Sequence, residues 1–339
     1  MIDLDWNNLP FSYIKTDYNV RCYFRDGKWS KPEISDSEYI NIHIAATGLH
    51  YGQESFEGMK AYRGKDGKVR LFRWDENAKR MTSSARGIIM EPVPHDLFRE
   101  AVFTAVKLNE KYVPPYGSGA SLYIRPLLYG SGAEVGVKPS AEYTFLVFVT
   151  PVGPYFKGGV KPVNMMICRE VDRAAPLGTG NIKVGGNYAA SLRAIIKARD
   201  GGYANVLFLD AKEKKYVDEC GPANFFGIKK QTYITPRSES ILPSITNKSL
   251  MAIAETMGIR TERRRIPVEE LSEFEETGAC GTAAVISPIA SIVDPDTGKI
   301  YKYCEDDNPG PVSLKLYNKL VGIQYGDEPD EFGWITMLE

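Results

Sequence analysis

At 339 residues, and at about 150 residues per domain, the chain is long enough for two domains, each with its own core. Its 42 Lys plus Arg stand against 43 Asp plus Glu, a formal net charge of −1, so no overall field draws it towards nucleic acid or anionic lipid. With 43% hydrophobic and 25% charged residues, 20 Tyr and 14 Phe, the composition excludes a disordered chain.

No stretch approaches the roughly 20 apolar residues of a membrane-spanning helix, and the opening MIDLDWNNLPF lacks the basic region and apolar run of a secretory signal. A cytoplasmic protein is expected. The five cysteines, Cys22, Cys168, Cys220, Cys280 and Cys304, are scattered and never spaced C-x-x-C, which points to buried reduced thiols and away from a disulfide framework or a zinc knuckle. His43, His50 and His95 have no metal-ligand spacing, so no metal is expected.

In chain order, VRCYFRDGKWS reads as a hairpin about an Asp26-Gly27 turn. Helical spacing follows in DENAKRMTSSARGI, stopped by Gly87, and in HDLFREAVFTAVKLNEKYV, where Leu97, Val102, Ala105, Val106 and Leu108 recur before Pro114-Pro115. SLYIRPLLYG and EYTFLVFVTPV read as buried strands. Strands and helices in mixed order give residues 1–150 an α/β character of the α+β kind, and the proline- and glycine-rich stretch 151–162 is the expected interdomain loop.

Beyond it, VNMMICRE and ANVLFLD are expected strands flanking a helix from near Asn187 with Leu192, Ile195 and Ile196 on one face. FFGI and TYITP are short strands, and a helix from near Thr246 turns Leu250, Ile253, Ala254 and Met257 inward before Gly258. A last strand spans ACGTAAVISPIASI, and an amphipathic helix covers Val312 to Gln324. Residues 163–339 then form a second domain with a mixed sheet.

Two motifs fail on inspection. GTGNIKVGG carries Gly178 and Gly180 but has Lys183 where a dinucleotide fingerprint needs its third glycine. In DPDTGKIYKYCE, Asp294, Asp296 and Glu305 imitate a calcium loop, but Gly298 stands at a ligand position and Lys299 at the glycine position, which makes a plain hairpin turn.

What remains is Lys183, set between glycines that let the backbone approach a ligand and leave the amine unobstructed. Glu219 sits at a strand end before a Gly-Pro turn and an Asn. LPSITNKS opens a helix, where free N–H groups favour a phosphate, and Thr282 in GTAA adds a backbone nest and a hydroxyl. An amine able to form a Schiff base, an acid able to hold a pyridinium proton and an anion cradle together describe a pyridoxal 5'-phosphate site.

The ordered series HYGQESFEGMKAY, LFRWDENAKRMTSSA, YIRPLLYG, VGPYF, KVGGNYA, DECGPANFF, LPSITNKS and GTAAVISP resembles the fold-type IV pyridoxal-phosphate aminotransferases, and most closely the branched-chain amino acid aminotransferases. The resemblance covers nearly the whole chain and implies a two-domain enzyme with a smaller N-terminal α/β domain and a larger C-terminal cofactor domain. It implies Lys183 as the Schiff-base lysine and proton shuttle, Tyr188 at the cofactor's phenolic oxygen and Glu219 at its ring nitrogen. Arg80, Leu242, Ile245, Thr246 and Thr282 complete the implied cofactor contacts, Arg80 offering the phosphate a bidentate fork.

Thr282 and Ala283 are implied to meet the substrate carboxylate, with Tyr123 and Arg125 lining that end. Phe56, Gly58 and Tyr155 match an apolar wall that accepts leucine, isoleucine and valine side chains while separating them weakly. A partner subunit is implied to contribute Tyr51, Val135 and Val137, which makes the chain at least a homodimer. Some relatives carry a redox C-x-x-C after the GTA motif; Ala284 and Ser287 stand at those positions, so thiol regulation there is not expected. The implied reaction moves the amino group of a branched-chain amino acid to 2-oxoglutarate. D-amino acid aminotransferases and aminodeoxychorismate lyases, which share the fold, are the alternatives, and a non-catalytic binding protein is the rival outside catalysis.

Overall fold

The computed structural model describes residues 4–155, 159–304 and 308–339. It divides the chain into two compact units, one of residues 1–155, 182–185 and 322–339, the other of residues 156–181 and 186–321. The expected 163–339 domain is therefore not continuous. Ile335–Met337 pairs with Val69–Phe72, and the carbonyl of Lys183 accepts from Phe56 N and Ser55 Oγ, so both segments are stitched to the first unit. Of the expected 151–162 loop, residues 156–158 lie outside the described residues.

The first unit is built on an antiparallel sheet ordered Ile335–Met337, Val69–Phe72, Met59–Arg63, Ser121–Gly130, Tyr143–Val152, Asn19–Arg25 and Lys28–Trp29, with Glu33–Ser35 and Glu54–Phe56 added at its sides. The expected hairpin is present. Arg25 pairs with Lys28 across Asp26 and Gly27, both at positive φ, the backbone a tight two-residue turn requires. Helices Trp74–Gly87 and His95–Leu108 pack Met81, Ala85, Phe98, Val102 and Val106 with Leu122, Ile124, Phe145 and Val147 in one core. The second of them stops at Leu108, short of the prolines, and a 3-10 turn Glu110–Tyr112 follows.

The second unit carries a mixed sheet in which Val217–Cys220, Asn205–Leu209, Val163–Cys168, Val285–Val293, Glu276–Gly281 and Ala223–Lys229 follow one another, and Ala223–Lys229 pairs back onto Val217–Cys220. The ring closes, which leaves those strands no free edge. Thr232–Pro236 and Arg260–Arg264 extend it, and Ile300–Lys302 pairs with Val285–Val293.

Two expectations change here. Residues 279–292 are not one strand: Glu276–Gly281 and Val285–Val293 are antiparallel partners with Gly281 opposite Val285, because the small residues Thr282, Ala283 and Ala284 and the positive φ of Val285 turn the chain. In the helix Gly185–Asp200 the buried residues are Asn187, Ser191, Ala194 and Ala198; Ala194 and Ala198 pack with Val206 and Phe208 and the half-buried Ile195 packs against them as expected, while Leu192 and Ile196 are more than half exposed. Small residues win the inner face because they let the helix sit close to the sheet. In Ile245–Thr256, Leu250, Ile253 and Ala254 are fully buried as expected, whereas Met257 is exposed beyond the helix end.

Asp294 and Asp296 sit by the turn before Ile300–Lys302, with Asp294 2.5 Å from Arg169 Nη1; Glu305 lies outside the described residues. Among the described residues no cluster of acidic, cysteine or histidine side chains forms a metal site, no helix is long and apolar enough to cross a membrane, and all five cysteines are free thiols.

Candidate active site

In the first unit the sequence positions converge on Phe56. Lys183 is held by its backbone: its N–H donates to Ser84 Oγ at 2.9 Å, and its carbonyl accepts from Phe56 N at 3.2 Å and Ser55 Oγ at 3.1 Å. The Nζ atom then lies 4.6 Å from the Phe56 ring centroid. Arg125 also approaches that ring, at 4.8 Å, and donates from Nη2 to the Tyr123 hydroxyl at 3.0 Å. A cation over an aromatic face is a favourable contact, so Phe56 organises both positive groups.

Gly58 belongs to the same cluster, because a Cβ there would collide with the Tyr123 hydroxyl. Phe11 packs edge-on against both Tyr123 and Tyr155, with centroids at 5.7 and 6.2 Å. Glu54 accepts from the N–H of Gly185, and burial raises its pKa against the pull of that bond and of Arg125.

Arg80 is gripped by Glu57, a residue absent from the sequence-level set. Its Nε and Nη2 donate to the two oxygens of Glu57 at 2.8 and 2.7 Å, and Asn77 Nδ2 adds a bond at 2.7 Å. Glu57 is fully buried, so this bidentate pair fixes the direction of the guanidinium. The FEGMK motif showed an acid here, but nothing local tied it to Arg80. Tyr51 donates from its hydroxyl to the Val135 carbonyl, and Val135 and Val137 are 87% and 86% exposed.

In the second unit Glu219 is the centre. It lies on Val217–Cys220 directly across from Asn224, 3% exposed. Oε1 accepts from Asn224 Nδ2 at 2.7 Å and from Leu242 N at 2.9 Å, and Oε2 lies 2.7 Å from Arg173 Nε. Two donors and a guanidinium at a buried carboxylate favour its ionised form. Tyr188 and Leu242 line one small cavity with Glu219 and Arg173. Thr179 and Asn187 exchange two hydrogen bonds of 2.7 Å, bracketing the glycine loop.

Ile245 and Thr246 are the first residues of the helix Ile245–Thr256, whose N-cap Ser244 accepts from Asn247 N. Both are buried and present the first-turn N–H groups of a helix N-terminus. Thr282 and Ala283 occupy the turn between Glu276–Gly281 and Val285–Val293. Arg173 and Asn224 are the residues the sequence did not mark. Their signals, a charge in a loop and an Asn after Gly-Pro, acquire meaning only when the closed ring brings them to Glu219.

Residues 54–292 match the model of the amino-transferase class IV family. The chain belongs to that family. A branched-chain-amino-acid aminotransferase of Haemophilus influenzae is 49% identical, with both chains covered in full, and one of Helicobacter pylori is 46% identical over 98% of this chain and 97% of its own. Among solved structures, the branched-chain amino acid aminotransferase of Escherichia coli aligns with a TM-score of 0.81 at 28% identity, over 96% of this chain and 100% of that one. The branched-chain amino acid aminotransferase of the thermophilic archaeon Thermoproteus uzoniensis, solved with norvaline, aligns at 0.78 and 25% identity, over 94% and 100%. This aminotransferase is therefore a transaminase of a pyridoxal-phosphate-dependent family, and the mixed α/β architecture agrees with that membership.

Proposed function

We propose that this aminotransferase moves the amino group of L-leucine, L-isoleucine or L-valine reversibly to 2-oxoglutarate, giving the branched 2-oxo acid and L-glutamate, with pyridoxal 5'-phosphate as cofactor and at least a homodimer as the working form. The observation that carries the reading is the buried carboxylate of Glu219 with two donors and a guanidinium on it, an environment that keeps it ionised and so suits a protonated ring nitrogen. Full-length similarity to proteins of that activity supports the substrate class.

Each unit carries residues whose chemistry suits a part of the cofactor. Lys183 would hold it through its amine, Tyr188 would meet its phenolic oxygen and Glu219 its ring nitrogen. The N–H groups of Ile245 and Thr246, the Thr282 hydroxyl and the side of the Arg80 guanidinium turned away from Glu57 suit its phosphate, and Leu242 N donates to Glu219. When bound, the cofactor supplies an electron sink for the pair released at the substrate Cα. Lys183 Nζ takes the Cα proton and later returns a proton to the reacting carbon, a transfer that needs the amine neutral at that moment.

Phe56, Gly58 and Tyr155 form the apolar wall for the branched side chain, and the exposed Val135 and Val137 beside Tyr51 are offered to a second subunit. Thr282 and Ala283 present backbone N–H groups to the substrate carboxylate, with Tyr123 and Arg125 at that end. Lys183→Ala tests the reading: it is expected to abolish L-leucine:2-oxoglutarate turnover with the circular dichroism unchanged. Turnover of D-alanine in place of L-leucine by the unaltered enzyme would instead assign it to the D-amino acid branch of the fold.

A further inference from the structure

Arg173 is nine-tenths buried, and its guanidinium is tied on two sides. Nη2 donates to the carbonyl oxygens of Gly180, at 3.0 Å, and Ser240. Nε lies 2.7 Å from Glu219 Oε2 without the alignment of a hydrogen bond, so the contribution to Glu219 is charge more than direction. The anchor is tight: a Cβ on Gly180 would strike the Ser240 carbonyl and come within 2.8 Å of Ala174 Cβ. Asn224 and Leu242 N occupy the other carboxylate oxygen, and neither carries charge.

We propose that Arg173 is a positioning residue that holds Glu219 as a carboxylate, and that it thereby keeps the shared proton on the ring nitrogen of the bound cofactor. This rests on the reading of Glu219 as the partner of that nitrogen. A proton between a carboxylate and a pyridine nitrogen has two stable placements, an ion pair and a neutral pair. Burial alone favours the neutral pair, because both charges lose water. A fixed cation touching the carboxylate reverses the order by stabilising its ionised form. The neutral donors Asn224 and Leu242 N strengthen that form less than a full charge does. Without Arg173 the proton moves to Glu219, and the ring loses the positive nitrogen that makes it a strong electron sink.

The test loads wild type, Arg173→Gln, Arg173→Lys and Glu219→Gln with pyridoxal 5'-phosphate labelled with 15N in the ring and reads the nitrogen chemical shift at neutral pH. Cofactor affinity of the apo-proteins is measured alongside. Gln ends near the position of the Arg Nε, beside Glu219, so it puts a neutral amide there and gives up the Nη2 bonds to the Gly180 and Ser240 carbonyls; Lys keeps the charge. The expected result is a protonated ring nitrogen in wild type and Arg173→Lys, and an unprotonated one in Arg173→Gln and Glu219→Gln. A protonated nitrogen in Arg173→Gln with an unprotonated one in Glu219→Gln overturns the role of Arg173 and leaves Glu219 standing. A protonated nitrogen in Glu219→Gln overturns the reading of Glu219 itself. Should Arg173→Gln fail to fold, Arg173→Met takes its place with the same expected shift. An unprotonated nitrogen in Arg173→Lys, with affinity lost equally in all the Arg173 variants, would mark the residue as packing only.

Discussion

Lys60 lies on the central strand Met59–Arg63, across from Tyr123 and 8% exposed. Burial brings its amine down from 10.5 to about 8. Below pH 8 the folded chain therefore carries a buried cation at a net cost. Between about 8 and 10.5 the unfolded chain binds the proton that the folded chain has released, so this group makes stability rise with pH across that window. At about 1.4 kcal/mol per pH unit the interval amounts to about 3 kcal/mol. Lys60→Met keeps an unbranched side chain one atom shorter and removes the charge. In urea titrations at pH 7, 8.5 and 10 the variant is expected to exceed wild type by up to about 3 kcal/mol at pH 7, with the gap closing as the pH approaches 10. A gap that does not change with pH, or a variant less stable throughout, would refute the reasoning.

Glu57→Ala strips Arg80 of its bidentate partner inside the first unit; a loss of about 3–5 kcal/mol is expected in denaturant titrations, together with weaker binding of pyridoxal 5'-phosphate. Gly58→Ala drives a methyl group against the Tyr123 hydroxyl; overpacking costs about 1–3 kcal/mol, so thermal melting is expected to fall by several degrees, with KM for leucine rising as Tyr123 is displaced. Burial pushes the thiols of Cys22 and Cys280 up to about 12 and that of Cys220 well above its usual range, so iodoacetamide at pH 8 is expected to leave all three unmodified by mass spectrometry, with any early label on the half-buried Cys304.

Local patterns carried most of the element positions. The Asp26-Gly27 turn, the helices Trp74–Gly87 and His95–Leu108 and the strands Ser121–Gly130 and Tyr143–Val152 each follow from a short run of residues, although the second helix ends before its expected proline stop. The fold beyond them depended on contacts distant in sequence. Nothing near Lys183 shows that its carbonyl bonds Phe56 and Ser55, yet those bonds draw residues 182–185 into the first unit. In Gly185–Asp200 the apolar residues at helical spacing suggested a face, but the side that packs is centred on Ser191, Ala194 and Ala198, and of the expected three only Ile195 joins it.

The site divides in the same way. Lys183 stood out because glycines flank it, and Glu219 because an acid beside Gly-Pro-Ala-Asn is out of place on a surface. Glu57, Arg173 and Asn224 carry no such local mark. Each is assigned only by its partner, Glu57 by Arg80 and the other two by Glu219, and those pairings exist only once sheet register is set.

The most direct measurement is the visible absorbance of the purified protein with pyridoxal 5'-phosphate, followed by L-leucine and then 2-oxoglutarate. A yellow band that L-leucine bleaches and 2-oxoglutarate restores is the expected result, one half-reaction in each step. A band bleached only by D-alanine would contradict the substrate assignment, and the absence of any band in the presence of cofactor would contradict the role of Lys183.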